Sequence, residues 1–284
     1  MSKEQLGDFH NISFEGIESH RKVAKEIIWK EKRVLTIIVL IISILASIYL
    51  FRFSPSLLIV GLVVFSLYIG IYYGRAKKRF FEKLITKNNL HRKKKIPFQD
   101  FKSNLVNVPG SKRIHDVLMG SYKDKKARLI YYSYTVRSGE HSITYPFTIM
   151  EVFYNDISFP HTLLHHSKRR FLYSGRHGKK RKDEVKIKLE AEFAKDYTLY
   201  IKDGYGIEAM QIFKEDFLRF LIEERCNFSI ELSEDRMYIY TEGFINDKEK
   251  MRDFKTLTKE EFLESYSYLT EEEYDNTYKL TKKI

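Results

Sequence analysis

Two unbroken apolar runs stand near the start of the chain: Val34–Phe51 is 18 residues without a charge, and Phe53–Gly74 is 22 more. At ~1.5 Å rise per residue the shorter run spans ~27 Å, close to the hydrocarbon thickness of a bilayer. A buried core helix of that length keeps a polar face, and neither run has one. The pattern therefore predicts two membrane-spanning helices within residues 34–74. Only Arg52 separates them, with Ser54 placed to cap the second helix and Pro55 at its first position. So short a connection requires an antiparallel hairpin. Ser43/Ser47 and Ser66/Gly70 form small-xxx-small pairs that permit close helix approach.

On either side the period changes to that of amphipathic helices. Glu15–Arg33 places Ile17, Ala24, Ile27 and Ile28 on one side, and Arg75–Leu90 does the same with Phe80, Phe81, Leu84 and Ile85. Beyond a linker at His91–Lys95 and Pro97, alternation takes over. Val117–Tyr122, Ala127–Val136 and Ile143–Tyr154 read as an antiparallel meander, with Ile143, Tyr145, Phe147, Ile149 and Phe153 on one face of its third strand. Pro146 predicts that this strand is an edge or carries a bulge. Val185–Ala191 and Tyr197–Lys202 read as further strands. Ile207–Arg225 reads as one helix with a stripe at Met210, Phe213, Phe217, Phe220 and Leu221. Asn227–Leu232 and Arg236–Thr241 form a hairpin ended by Gly243. Two C-terminal helices are marked by capping-box spacing at Thr258/Glu261 and Thr270/Glu273. The expected fold is a membrane-anchored α+β protein: a juxtamembrane segment (1–33), a transmembrane hairpin (34–74), a basic helix and linker (75–99), a mainly antiparallel β domain with a packed helix (100–245) and C-terminal helices (246–284).

Charge sharpens this picture. Residues 1–100 hold 18 Lys and Arg against 8 Asp and Glu; the remainder hold 32 against 30, so most of the net +12 lies beside the apolar runs. That distribution points to a membrane surface before nucleic acid. Residues 19–33 carry six cations, residues 74–88 six, and the hairpin tip only Arg52. The positive-inside rule then puts both termini in the cytoplasm, making a two-span protein of the inner, cytoplasmic membrane. Neither run holds an ionisable side chain other than tyrosine, so the hairpin reads as an anchor or an oligomerisation element of copies of the chain, not as an ion pathway. The single cysteine, Cys226, forbids an internal disulfide and fits a reducing compartment.

The stretch Gly120-Ser121-Tyr122-Lys123-Asp124-Lys125-Lys126-Ala127 followed by Tyr131-Tyr132-Ser133-Tyr134-Thr135 resembles a block of a family of uncharacterised prokaryotic membrane proteins. A second block of that family resembles Glu190-Ala191-Glu192-Phe193 through Leu199-Tyr200, Asp203-Gly204-Tyr205 and Met237-Tyr238-Ile239-Tyr240. The resemblance implies two spans ahead of an α+β domain. Its motifs are turns and strands, so it implies no activity and no functional residue.

Chemistry is sparser. His161, His165, His166 and His177 lie close together, but Pro160–Lys182 contains no Asp or Glu and eight cations: Lys168, Arg169, Arg170, Arg176, Lys179, Lys180, Arg181 and Lys182. A positive field of that density opposes a dication, so neither a metal nor another cofactor is expected. The segment reads instead as a solvated basic loop facing anionic lipid headgroups or another polyanion. Gly204-Tyr205-Gly206 reads as a turn, and Glu190/Glu192 as a solvated strand face. The functional reading is a membrane-anchored cytoplasmic binding or regulatory domain without chemistry of its own, with room for a protein partner. Two alternatives stand beside it: a membrane-tethered enzyme, a hydrolase using the histidine-bearing loop, and a membrane tether for nucleic acid.

Overall fold

The computed structural model describes residues 7–9, 11–13, 15–18, 20–52, 59–93, 96–103, 106, 111–122, 125–138, 141–154, 158–167, 183–190 and 192–244. These fall into two compact units, 13–87 in one and 7–12 with 88–244 in the other. The expected C-terminal helices, the Ser54–Pro55 cap and all eight cations of the basic segment lie outside the described residues. The juxtamembrane reading of residues 1–33 needs correction at its start. Gly7 and Phe9 bond to the backbone of Asn89 and Ser121, and Asp8 bridges Ser121 in parallel, so this stretch belongs to the sheet unit.

In the first unit, helix α1 (His20–Glu26) passes through one π turn (Ile27–Glu31) into α2 (Arg33–Phe51), and α3 runs from Ile59 to Lys87. The second apolar run and the basic helix after it are thus one continuous rod. Val23, Ala24, Ile27 and Ile28 pack against Tyr72 and Ala76, and Glu31 pairs with Arg79 at 3.1 Å. At the π turn, the Thr36 hydroxyl lies 3.0 Å from the Ile28 carbonyl and 2.9 Å from the Tyr68 hydroxyl, tying α2 to α3. α2 and α3 are long and apolar enough to cross a membrane, and only 11% and 17% of their apolar windows are buried.

The hairpin closes through Ser43, Ser47 and Gly61. A β-carbon on Gly61 would clash with the Ser43 carbonyl oxygen and the Ser47 hydroxyl, whereas one on Gly70 would meet nothing within 4 Å. The Ser66/Gly70 pair therefore plays no part in this contact. Gly61→Ala should cost about 1–3 kcal/mol, the range for overpacking against backbone that cannot yield. Gly70→Ala should be neutral or slightly stabilising, since Ala is the better helix former. Thermal unfolding of the detergent-solubilised chain separates the two.

The second unit is a nine-stranded antiparallel sheet ordered β1-β2-β3-β4-β9-β8-β5-β7-β6 among the described residues. Its strands are β1 (His91–Lys93), β2 (Ser111–Tyr122), β3 (Lys125–Ser138), β4 (His141–Phe153), β5 (Phe159–His166), β6 (Glu184–Ile187), β7 (Tyr197–Lys202), β8 (Ser229–Glu234) and β9 (Arg236–Glu242). The meander and the final hairpin form as alternation predicts. One row across the sheet, Leu118, Leu129, Met150, Ile239, Ile230, Leu164 and Leu199, is wholly buried and joined by direct register.

Several expectations change. The linker at His91–Lys95 contributes β1, so sheet pairing begins inside it. Pro146 sits in a central strand, paired to Ser133, at the point where the β9 ladder ends. Its carbonyl accepts the Gly243 N–H at 2.7 Å, and a strand residue's N and O point the same way, so the missing N–H costs no bond to β3. The predicted strand at 185–191 stops at Ile187, which leaves Glu190 and Glu192 exposed outside any ladder. The single helix at 207–225 is two, α4 (Gly206–Ile212) and α5 (Glu215–Glu223), broken at Lys214, whose backbone is extended. The break lets the adjacent pairs Ile212/Phe213 and Phe217/Leu218 all turn inward, while Met210 is left 45% exposed.

Candidate functional site

A second row, on the opposite face of the sheet, is the unusual one. Register places Arg128 opposite Glu151, Glu151 opposite Tyr238, Tyr238 opposite Glu231, and Glu231 opposite Leu163. Cross-strand neighbours on one face stand close enough to interact directly. All of these side chains are buried, and Glu151 and Glu231 are completely so. Buried charge at this depth is tolerated only when paired and hydrogen-bonded.

Glu151 is held by two guanidinium groups. Arg128 bonds through Nε to Oε2 and through Nη2 to Oε1 at 3.0 Å; Arg236 Nη1 reaches Oε1 at 2.8 Å. The Phe101 and Phe153 rings lie 5.1 Å from the Arg128 guanidinium, and Phe153 lies 4.8 Å from that of Arg236. The cations are thus covered by rings as well as paired, which favours arginine over lysine here.

Glu231 accepts three donors: Ser103 Oγ at 2.8 Å, Tyr240 Oη at 2.5 Å and His161 Nε2 at 3.0 Å. The other His161 nitrogen, Nδ1, lies 3.4 Å from Glu184. With a carboxylate at each ring nitrogen, both can be donors only in the imidazolium form. Burial, and next the Glu231 charge, push the Tyr240 hydroxyl well above its ordinary range, which keeps it a donor. Burial likewise pushes up Tyr238, whose oxygen accepts the Lys102 N–H at 2.9 Å. The Ser233 hydroxyl donates to the Lys102 carbonyl at 3.1 Å, and Arg236 reaches the Asp100 carbonyl. The cluster therefore straps the segment 96–103 and Val106 onto the sheet, where Ile96, Phe101 and Val106 cover Ile130, Tyr132, Ile149 and Tyr240.

This overturns half of the basic-loop expectation. Phe159–His166 is strand β5, in the sheet interior, and His161, His165 and His166 are enclosed in it. His165 faces the Ser229 hydroxyl at 3.4 Å; burial, and next the neighbouring His166, push its pKa down to about 4. It therefore stays neutral at any pH near neutrality and adds no cationic charge. Lys168, Arg169, Arg170, Arg176, Lys179, Lys180, Arg181, Lys182 and His177 lie outside the described residues. The strands that bracket them are placed: β5 ends beside Tyr197 and β6 starts beside Lys202, at opposite ends of β7.

The acids of the cluster were missed because they arrive on other strands, Glu151 on β4, Glu184 on β6 and Glu231 on β8. One signal was readable. Position 151 falls in the inward stripe Ile143, Tyr145, Phe147, Ile149, Phe153, where a carboxylate must find a buried partner. Cys226 is buried, and its carbonyl accepts the Tyr197 hydroxyl at 2.8 Å. The Gly204 turn, at φ +86°, leads into α4.

No protein-family model matches the chain, and no curated protein matches its sequence. Among solved structures, the chain is similar to the crystal structure of the mycobacterial trehalose monomycolate transport factor A, TtfA, at a TM-score of 0.44 and 9% identity; the match covers 63% of this chain and 88% of that one.

Proposed function

We propose that this is a two-span protein of the cytoplasmic membrane, both termini inside, whose sheet domain is a binding or regulatory module that meets an anionic surface through residues 168–182. It belongs, on this reading, with the two-span family it resembles. Three observations support the anchor: the length of α2 and α3, their outward-facing apolar side chains, and the six, six and one cations at their flanks and tip. A core helix of a soluble protein would be mostly buried, and these are not.

The observation that supports the binding role is the charge of the basic segment. The segment carries eight cations without an acid, and it lies in sequence between β5 and β6, both of which pair with β7. Each cation near an anionic leaflet gains about 1 kcal/mol. The tethered-enzyme alternative rests on His161 between Glu184 and Glu231. The Ser103 hydroxyl there bonds to Glu231 and not to the imidazole, so among the described residues this hydroxyl does not form a base–nucleophile pair with His161.

The test uses the full chain with Ser174→Cys carrying an environment-sensitive dye; buried Cys226 does not compete for label. In vesicles containing anionic lipid, a lipid-borne quencher should quench the dye. Quenching should be lost in about 1 M salt, where screening acts within ~3 Å, and lost when Lys168, Arg169, Arg170, Lys179, Lys180 and Arg181 become Ser. Equal quenching in neutral vesicles, or in that variant, would remove the lipid contact from the account.

A further inference from the structure

At the far margin of the sheet, β2 is only partly covered. β1 pairs with Val117–Met119, and among the described residues nothing pairs with the outer edge of Ser111–Ile114. A cleft of about 630 Å³ lies there, lined by Arg92, Ile96, Phe98 and the five consecutive residues Lys112–Asp116. Successive strand side chains point to opposite faces. A cleft lined by five in a row therefore runs along the backbone edge itself and does not sit on one face.

Its charge is one-sided. Arg92, Lys112 and Arg113 face a single acid, Asp116, and Arg92 already holds that acid through Nε at 2.7 Å. Lys112 and Arg113 have no ion pair or side-chain hydrogen bond among the described residues. The sequence beside them offers none: Lys93–Lys95 adds cations, and Asn104–Gly110 contains no acid. Lys112 is half-buried, and that burial lowers its pKa.

Register decides what kind of anion fits. Lys112 lies opposite Tyr134 and Ile114 opposite Tyr132, on the strapped face; Arg113 lies opposite Ser133, on the other. A bulge between Ile114 and Asp116 then turns Asp116 to Arg113's side, where Arg92 meets it. One compact anion cannot reach cations that diverge across the edge. An extended chain with alternating side chains can, while its backbone bonds those N–H and C=O groups along Ser111–Ile114 that no described residue pairs.

We infer that the edge Ser111–Ile114 is a docking site for an acidic, extended peptide segment of a partner protein, which adds as a strand with carboxylates on Lys112 and Arg113 and apolar side chains on Ile96, Phe98 and Ile114. The inference rests on the reading of the domain as a binding module. It uses a different surface from the basic segment, so the two fail separately.

The full chain in neutral-lipid nanodiscs is titrated with a fluorescein-labelled peptide of repeated Glu-Glu-Val-Val, which as a strand carries a carboxylate and an apolar side chain on each face. Binding should be saturable and should weaken about tenfold or more in the Lys112→Glu/Arg113→Glu variant, since like charges across an interface are strongly unfavourable. It should be lost when alternate peptide amides are N-methylated, and be unchanged when the six cations of residues 168–181 are replaced by Ser. Absence of saturable binding overturns the proposal, whatever the lipid result. So does equal binding of the N-methylated peptide, or full competition by inorganic phosphate, which would mark a simple anion site.

Discussion

Glu151→Ala should destabilise the sheet domain by about 3–5 kcal/mol, the cost of removing one partner from a buried ion pair. The loss is large because two cations depend on this one carboxylate. Arg128 is 5% exposed and would keep its charge without the carboxylate that holds it, and Arg236 would keep only the half-exposed Asp235, at 3.3 Å. Their ring contacts with Phe101 and Phe153 offset only part of this, at about 0.5–2 kcal/mol each. The matched control is the double variant Arg128→Met/Glu151→Leu, which removes the pair together and should lose much less. Denaturant unfolding of the full chain in detergent, followed by tyrosine absorbance, reads the difference. A loss under about 1 kcal/mol for Glu151→Ala would place the cluster among hydrated surface pairs and dissolve the strap argument.

Tethering of residues 96–106 follows from the same cluster. Ser103, Lys102 and Asp100 are held by Glu231, Tyr238, Ser233 and Arg236, so the cover of the inner face is attached by polar bonds as well as by Phe101 and Val106. The polar row therefore fixes which segment closes the sheet, a task that a purely apolar face leaves less specified. That role is a hypothesis for this protein, and the double variant tests it: with the pair replaced by Met and Leu, amide exchange at Lys102 and Val106 should quicken even if overall stability survives.

The apolar runs and the meander were legible because their signals are local and periodic. Eighteen uncharged residues, or Tyr-Ile-Val alternation between short turns, need no tertiary information. Errors arose where tertiary context outweighed local pattern. The histidine segment looked like a loop because the acids that neutralise its neighbourhood, Glu184 and Glu231, arrive from other strands. Pro146 looked like an edge marker because sequence does not reveal that β9 ends one residue away. The stripe from Met210 to Leu221 fitted one helix, and only the simultaneous burial of Ile212, Phe213, Phe217 and Leu218 requires a break. Gly7–Phe9 gave no strand signal at all. Its place beside β2 depends on Gly120, where a β-carbon would strike the Gly7 carbonyl oxygen at 2.6 Å and the Phe9 ring at 2.7 Å.

The central claim is a two-span anchor with both termini in the cytoplasm, and its most direct test is thiol accessibility in intact cells. Single cysteines are placed at Ser2, Ser54 and Ile284, with buried Cys226 left in place as an internal blank. A membrane-impermeant maleimide is applied before and after permeabilisation. Six cations on each inner flank against Arg52 at the tip should drive an all-or-none pattern. Position 54 should label in intact cells, and positions 2 and 284 only after permeabilisation. Labelling of both termini from outside would reverse the orientation, and labelling of none or all of the three in intact cells would mean that α2 and α3 do not span as a hairpin.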